Sequence, residues 1–329
     1  MERFGLPHAA CHAPSLWACE VAADNLMEVE NVSSVAQSSW IATLRGAGCG
    51  RQVTGLVERM KFRKTVIDQV ANLLGGKSGA RISDGLAKTG LRGLGVNIDH
   101  EFEKSGEAWL MERTFSVLRS PVCADIGANV GEFSLRARKL GAAKVLAFEP
   151  APETFRLLTA NTAKDHAILC RNDAVGEKEG ETSFFIPDDV ADSTLASRDM
   201  AITAIASRPF SKITVPVTTL DAVADAENVR FDILKIDVEG YELDVLLGAR
   251  AVISAQPALI QFEFNSHHMH RRHTMLDFAQ QLPGYALYRL AHSSLRRLDP
   301  GHYLSTIYTY QNIIAIHERA DELSNRLTG

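Results

Sequence analysis

The sequence predicts an α/β protein built on a mostly parallel sheet. Three observations carry that expectation. From Val122 onward, short apolar runs alternate with stretches of helical periodicity, the rhythm of β-α-β units. A glycine-rich turn, Asp125-Ile-Gly-Ala-Asn-Val-Gly131, joins the first apolar run to the first helix, and open α/β sheets hold their ligands at such strand ends. The chain has 329 residues, 46% of them hydrophobic, enough for one large α/β domain with an extra segment, or for two domains.

The elements follow in order. Apolar residues Phe62, Val66, Ile67, Val70, Leu73 and Leu74 share one helical face, and Gly75-Gly76 stops that helix. Residues 75–100, rich in Gly, Ser and Lys, read as a loop or linker. A second helix covers Glu107 to Leu118, and Pro121 marks the break before the β-α rhythm begins. Val122–Ile126, Lys144–Phe148, Ile168–Cys170, Phe231–Ile236 and Ala258–Phe264 read as strands. Helices are expected at Glu132–Leu140, at Glu153–Asn161 with Pro152 at its start, and around Leu243–Leu247. Thr182–Ile186 and Ile213–Val217 read as strands flanking a polar insertion, about 182–217, that could supply a lid or a substrate wall. Tyr285–Leu290 and Asn312–Ile316 could pair as an antiparallel terminal hairpin.

Composition excludes several classes. The net charge of −5 argues against binding nucleic acid through a general basic surface. No apolar run approaches the length of a membrane span. The five cysteines, Cys11, Cys19, Cys49, Cys123 and Cys170, are odd in number and lack C-x-x-C spacing, so neither a disulfide framework nor a zinc knuckle is supported. His8, His12 and Pro14 interrupt any secretory signal, and the expected compartment is the cytoplasm. Residues 1–59 stand apart as either an upstream extension before a start at Met60 or a poorly ordered tail. Lys61, Arg63 and Lys64 before an amphipathic helix leave room for a peripheral membrane contact, although packing on the protein core suits the same helix.

The candidate site lies in the loops after the strands. Gly127 and Gly131 allow a tight turn and close approach to a ligand, with Asn129 between them. The spacing G-x-N-x-G differs from the G-x-G-x-x-G of dinucleotide sites, and Asp125 would repel a pyrophosphate. A ligand carrying ammonium and sulfonium groups would meet no such repulsion. Glu149 closes the second strand, where a carboxylate can accept from both hydroxyls of a ribose. Asp173, after the third strand, can reach an adenine amino group, although Asn172-Asp173 would also suit a plain turn. Lys235 and Asp237 point the same way from their strand, and Asp237 ends beside the ligand. Glu239 serves either the site or the start of the next helix. Glu263, an acid among apolar residues, needs a partner, and Lys235 is the expected one. The histidines from His267 to His273 read as a solvated basic loop rather than a metal site, and one of them, His267, could act as a general base.

Taken together, residues from about Val122 to Phe264 resemble the FkbM family of S-adenosylmethionine-dependent methyltransferases. The resemblance rests on Asp125–Gly131, Ala147-Phe-Glu-Pro150 with Pro152, Asn161, and Ala174-Val-Gly176 with Gly180-Glu181. It continues through Val217-Thr-Thr-Leu-Asp221, Lys235-Ile-Asp-Val-Glu-Gly240 with Glu242, Leu246-Leu-Gly-Ala249 and Phe262-Glu-Phe264. It implies a Rossmann-like sheet of seven strands with the last antiparallel and helices on both faces. It also implies cofactor contacts from the Asp125–Gly131 loop, Glu149 and the Asp173 region. Members methylate hydroxyl groups, often on sugars of polysaccharides, glycolipids or polyketides.

The reaction expected is therefore O-methylation of a small-molecule or glycan hydroxyl, with Asp237 as first choice of base and His267 as second. Glu263 with Lys235 would orient the acceptor. The rival readings are a nicotinamide-dependent dehydrogenase, which Asp125 and the missing G-x-G-x-x-G disfavour, and a catalytically inactive cofactor-binding or scaffold protein. No loop suited to methylating a nucleic-acid base is present.

Overall fold

The computed structural model describes residues 65, 68–72, 74–76, 79–97, 101–187 and 210–329. The expectations for residues 1–59 and for the centre of the insertion lie outside the described residues. The chain divides into two compact units, 1–86 and 87–329. Among the described residues no helix is long and apolar enough to cross a membrane.

In the first unit, 68–72 and 74 are helical, and the Gly75 N–H donates to the Ala71 carbonyl at 2.8 Å. The expected linker is corrected here. Helix α1 occupies Ala80–Gly93. Its three glycines, Gly85, Gly90 and Gly93, each cost about 1 kcal/mol in a helix relative to alanine, and they suggested a loop. Alanines, leucines and basic residues between them favour the helix, and the Ser83 hydroxyl ties its start by donating to the Leu74 carbonyl at 2.9 Å.

The second unit holds the sheet. Helix α2 (Glu107–Val117) precedes β1 (Val122–Ile126), α3 (Glu132–Lys139), β2 (Lys144–Phe148), α4 (Pro152–Thr162) and β3 (Ile168–Arg171). Then come β4 (Ala174–Val175), β5 (Gly180–Pro187), β6 (Phe210–Thr218), α5 (Leu220–Ala226) and β7 (Ile233–Ile236). Helices α6 (Glu242–Leu247) and α7 (Arg250–Ser254) lead to β8 (Leu259–Phe264), α8 (Ser266–His270) and α9 (Met275–Gln281). Strands β9 (Tyr285–Ala291), β10 (Ser294–Arg297) and β11 (Gln311–His317) precede α10 (Asp321–Thr328).

Local chemistry explains several boundaries. Proline opens α4, where its missing N–H costs nothing. Thr219 caps α5, and Thr274 with Asp277 forms a capping box on α9. The Asp221 carboxylate reaches across to accept from the Ala251 and Val252 N–H groups, both at 2.9 Å, at the start of α7.

Eight strands form the main sheet in the order β10-β9-β11-β8-β7-β1-β2-β3. The five from β8 to β3 are parallel. Strand β11 runs antiparallel between β8 and β9, so it ends the seven-stranded pattern as expected, but wedged between two earlier strands. The Tyr285 and Asn312 strands do pair antiparallel. The eighth strand, β10, was not foreseen, and it pairs with the outer edge of β9. Strands β5 and β6 pair antiparallel, and with β4 they make a small second sheet.

Side chains alternate between two apolar layers. Ala124, Ile126, Leu146, Phe148, Leu234, Ile236, Ile260 and Phe262 pack on one face. Cys123, Val145, Ala147, Ile233, Leu259 and Ile314 pack on the other, against Leu110 and Met111 of α2. Because β11 is antiparallel, its first residues meet the last residues of β8, with Gln311 opposite Phe264. The ends of β1, β2, β7 and β8 and the start of β11 thus share one edge.

Phe262 is fully buried and stacks on Phe278 at 4.8 Å between ring centroids. Phe262→Ala is expected to cost about 3–5 kcal/mol of unfolding free energy, the range for emptying a buried aromatic site. Urea unfolding checks this, and a loss below about 1 kcal/mol would place Phe262 outside the core.

Candidate functional site

The site grows from strand parity. On the α2 face of the sheet the apolar layer gives way to polar side chains near the shared edge. Asp125 of β1 lies in register with Lys235 of β7, and Lys235 with Gln261 of β8. One alternation further, Glu263 lies opposite Asn312 of β11. Asp125, Lys235, Gln261 and Glu263 keep the parity of the buried Cys123, Ile233 and Leu259, and Asn312 that of Ile314, so the period of two brings them to one side.

Above this edge lies a cavity of about 430 Å³. The turn after β1 forms one wall, with Gly127, Ala128, Asn129 and Val130. Gly127 adopts φ 84°, and a Cβ there would stand 1.7 Å from the Asp237 carbonyl oxygen. Only glycine permits that contact between the β1 turn and the end of β7. Asn129 also has positive φ, 50°, which asparagine tolerates. Its N–H donates to Glu149 Oε2 at 3.0 Å, and the Ala151 N–H donates to Glu149 Oε1 at 2.9 Å. Glu149 is therefore clamped at the cavity wall, 8% exposed. Burial pushes its carboxyl up to about 7, against the lowering effect of those two N–H groups. Asp173 lines the same cavity and is paired with Arg171 at 2.9 Å. Phe184 of β5 is buried and completes that side.

At the other end Lys235 Nζ donates to Asp237 Oδ2 at 3.1 Å. Burial opposes the Lys235 charge, but the carboxylates of Asp237, Asp125 and Glu107 outweigh it and hold its pKa above the ordinary value. Glu239 has φ 54°, and burial with the charges of Asp237 and Glu242 pushes it up to about 8. Glu263 is raised too, by burial first and then by the charges of Asp237, Glu239 and Glu242. The loop that carries Asp237 and Glu239 is held by Glu242, whose Oε1 accepts from the Val238 and Gly240 N–H groups at 3.0 and 3.2 Å. Glu242 Oε2 stands 3.1 Å from Nε2 of the fully buried His268.

Six of the predicted residues come together on the cavity wall beside Asp173: Gly127, Asn129, Glu149, Lys235, Asp237 and Glu263. Three others do not line it. Asp125 is fully buried beneath the turn, where Ser134 of α3 covers it, although it shares its side of the sheet with Lys235 and Glu263. The Ser134 hydroxyl donates to its Oδ2 at 2.6 Å, and its Oδ1 has no hydrogen-bond partner. Gly131 serves packing: at φ 92° it starts α3, and a Cβ would meet Leu158 at 2.8 Å. His267 packs against Gly240, off the cavity wall, with Nδ1 3.3 Å from Oε2 of Glu239, which does line it. Asn265 causes this turn of the chain by capping α8, accepting from the His267 N–H at 2.9 Å.

The expected pair of Lys235 with Glu263 is also corrected. Lys235 is bonded to Asp237, its neighbour two residues along the same strand, while Glu263 accepts from the Asn265 amide. Among the described residues, no group of three His, Cys, Asp or Glu side chains is placed to hold a metal ion.

Sequence reasoning missed Phe102, Glu107 and Tyr310, all on the cavity wall. Glu107 opens α2 and Tyr310 precedes β11. An acid in the first turn of a helix is commonplace, and Tyr310 carried no local signal.

Comparison with known proteins bears on this arrangement. The model of the methyltransferase FkbM domain matches residues 125–289, half of the chain. The chain belongs to the FkbM methyltransferase family. Methyltransferase sdnD of Sordaria araneosa is 31% identical over 156 residues, 39% of this chain and 60% of that protein. Methyltransferase 1 of Beauveria bassiana is 31% identical over 140 residues, 38% of this chain and 56% of that protein. This FkbM-family chain thus spans less than two thirds of either relative's length. The crystal structure of the FkbM methyltransferase from Methylobacillus flagellatus is 19% identical, covering 61% of this chain and 45% of that one, with a TM-score of 0.39.

The raised Glu149 pKa has a thermodynamic consequence. The folded state binds this proton more tightly than the unfolded chain, so its contribution is neutral below the ordinary value of 4.5. Stability then falls as pH rises from 4.5 to about 7, and the penalty stays above that. Glu149→Gln removes the titration. Its unfolding free energy is expected to decline less than the wild type's over that window, by about 3 kcal/mol at most. Parallel pH profiles for the two proteins, measured by urea unfolding, would exclude the shift.

Proposed function

We propose that this chain transfers a methyl group from S-adenosylmethionine to a hydroxyl group of a sugar, glycan, glycolipid or polyketide-type acceptor. The observation that carries the reading is the single cavity in which the Gly127–Asn129 turn, the clamped Glu149 and the Lys235–Asp237 pair all meet.

The residues fit this cofactor. Asn129 Oδ1 is buried in the cavity wall with no hydrogen-bond partner, and Gly127 leaves the wall without a side chain. The carboxyls around the cavity suit a ligand with positive charge. Glu149 would hold the ribose hydroxyls, Asp173 the adenine amino group, and the 127–129 turn the amino-acid portion. Asp125 would contribute through its field and its hold on Ser134, from beneath the turn. When bound, S-adenosylmethionine supplies a methyl carbon on a cationic sulfur, open to in-line displacement by oxygen.

Asp237 takes the proton of the acceptor hydroxyl. Its carboxylate is 38% exposed, at the end of β7, and Lys235 fixes its orientation through Oδ2. Glu263 and Glu239 face the same space and would orient the acceptor. Much of the rate enhancement would come from holding the two reactants in line. The base adds typically about 10²–10⁴-fold.

Isothermal titration with S-adenosylhomocysteine should show saturable binding, lost in Glu149→Ala, while NAD should not bind. Asp237→Asn should keep that binding and lose about 10²–10⁴-fold in methyl transfer from labelled S-adenosylmethionine to hydroxylated glycans. Full transfer by Asp237→Asn would move the base elsewhere, and no binding by folded wild-type protein would remove the methyl-donor site.

A further inference from the structure

The segment that matches the family, 125–289, does not close the cavity by itself. Phe102 and Glu107 come from before it and Tyr310 from after it. Glu107 and Tyr310 meet at the end of the cavity that carries Lys235, Asp237 and Glu263, while the Phe102 ring lies under Arg136 of α3. Topology explains the meeting. Tyr310 directly precedes the antiparallel β11, which starts at the edge where β7 and β8 end. Glu107 begins α2, the helix packed on the same face.

The two outlying residues are joined by a buried chain of hydrogen bonds. The Ser105 hydroxyl donates to Glu107 Oε2 at 2.9 Å, and Gln261 Nε2 donates to Glu107 Oε1 at 2.6 Å. The same Gln261 amide lies 3.4 Å from Asn312 Oδ1, and Asn312 Nδ2 donates to Tyr310 Oη at 3.1 Å. Gln261 and Asn312 are 3% and 4% exposed. Such a network stabilises little relative to an apolar core, but it sets each side chain in one orientation. What it orients are a carboxyl and a phenol that both face the cavity.

We propose that Glu107 and Tyr310 recognise the methyl acceptor, and that this end of the cavity takes an uncharged, hydroxyl-bearing group and excludes carboxylates and phosphates. The proposal rests on the methyltransferase reading and adds the residues and the charge class that select the acceptor. An acceptor hydroxyl can donate to the Glu107 carboxyl and share a hydrogen bond with the phenol. An anion would raise still further the carboxyls of Glu107, Glu239 and Glu263, which burial already holds above the ordinary value. Above about pH 8, where Glu239 ionises, it would meet Asp237 and Glu239 as like charges in one space. Lys235 is the only lysine or arginine among the described residues of the cavity wall, and it is already bonded to Asp237. Rejection by uncompensated like charge is a strong form of selectivity.

The test uses the full chain and labelled S-adenosylmethionine at pH 9, above the Glu239 value of about 8. Probes are the methyl glycosides of glucose and rhamnose, set against glucuronate and glucose 6-phosphate. S-adenosylhomocysteine titration runs alongside. Transfer to a neutral glycoside is expected, at least about tenfold faster than to either anion. Tyr310→Phe should raise the acceptor KM about fivefold, the worth of one neutral hydrogen bond, with S-adenosylhomocysteine affinity within about twofold of wild type. Glu107→Gln should act in the same direction, and Tyr310→Phe keeps the test intact if Glu107→Gln does not fold. Equal use of the anions, no transfer to a neutral glycoside, or an unchanged KM in Tyr310→Phe would each overturn the proposal while cofactor binding stands. Absence of cofactor binding in the wild type would overturn the reading beneath it.

Discussion

Lys235 is a largely buried cation in the middle of an eight-stranded sheet, and the acids around it depend on its charge. It bonds Asp237 directly and acts on Asp125 and Glu107 through space. Desolvation alone would drive all of these groups toward their neutral forms. One ammonium shared among three carboxylates lowers that cost, but it leaves Glu107 and Asp125 still raised above ordinary carboxyls. An arrangement of this kind contributes little to stability and would be replaceable by apolar residues if folding were its only purpose. Its location at the ends of β1 and β7 gives it another purpose, since it aims Asp237 at the cavity.

The same place explains the backbone of the turn. Gly127 touches the carbonyl of Asp237, so the β1 turn and the end of β7 are fitted to each other. Glu242 holds the loop after β7 from one side by accepting from two of its N–H groups, and His268 stands behind Glu242. His268 stacks on Phe264, which joins this clamp to the aromatic packing with Phe278. The loop that carries Asp237 is thereby tied to the core at residues that never face the cavity.

A division of labour follows between the family segment and its flanks. The turn, Glu149, Asp173 and the β7 acids all lie within 125–289. The wall contributed by Phe102, Glu107 and Tyr310 lies outside it. Loops and termini vary more readily than a sheet, so on the proposed function the part of the wall that meets the acceptor lies where the chain can change without disturbing the strands.

The sequence by itself determined most strands of the main sheet, the helices at the start of the β-α rhythm, the glycine turn and the strand-end acids. Those features are local: a period of two or 3.6, a residue that tolerates positive φ, a carboxylate after an apolar run. It also placed Lys235 and Asp237 on one side of β7, since parity needs no knowledge of neighbours. It misread 75–100, where glycines outweighed the helix formers around them, and it missed β10, whose pairing depends on an edge that only the assembled sheet provides. The tertiary structure alone decided which acids share the cavity. Asp125 was hidden beneath the turn under Ser134 of α3, and His267 was placed beside Glu239, off the cavity wall. Tyr310 entered the wall because an antiparallel β11 returns to the edge where β8 ends, and Glu107 because α2 packs on that face of the sheet. Strand order and direction join residues far apart in the chain, and no local pattern encodes that adjacency.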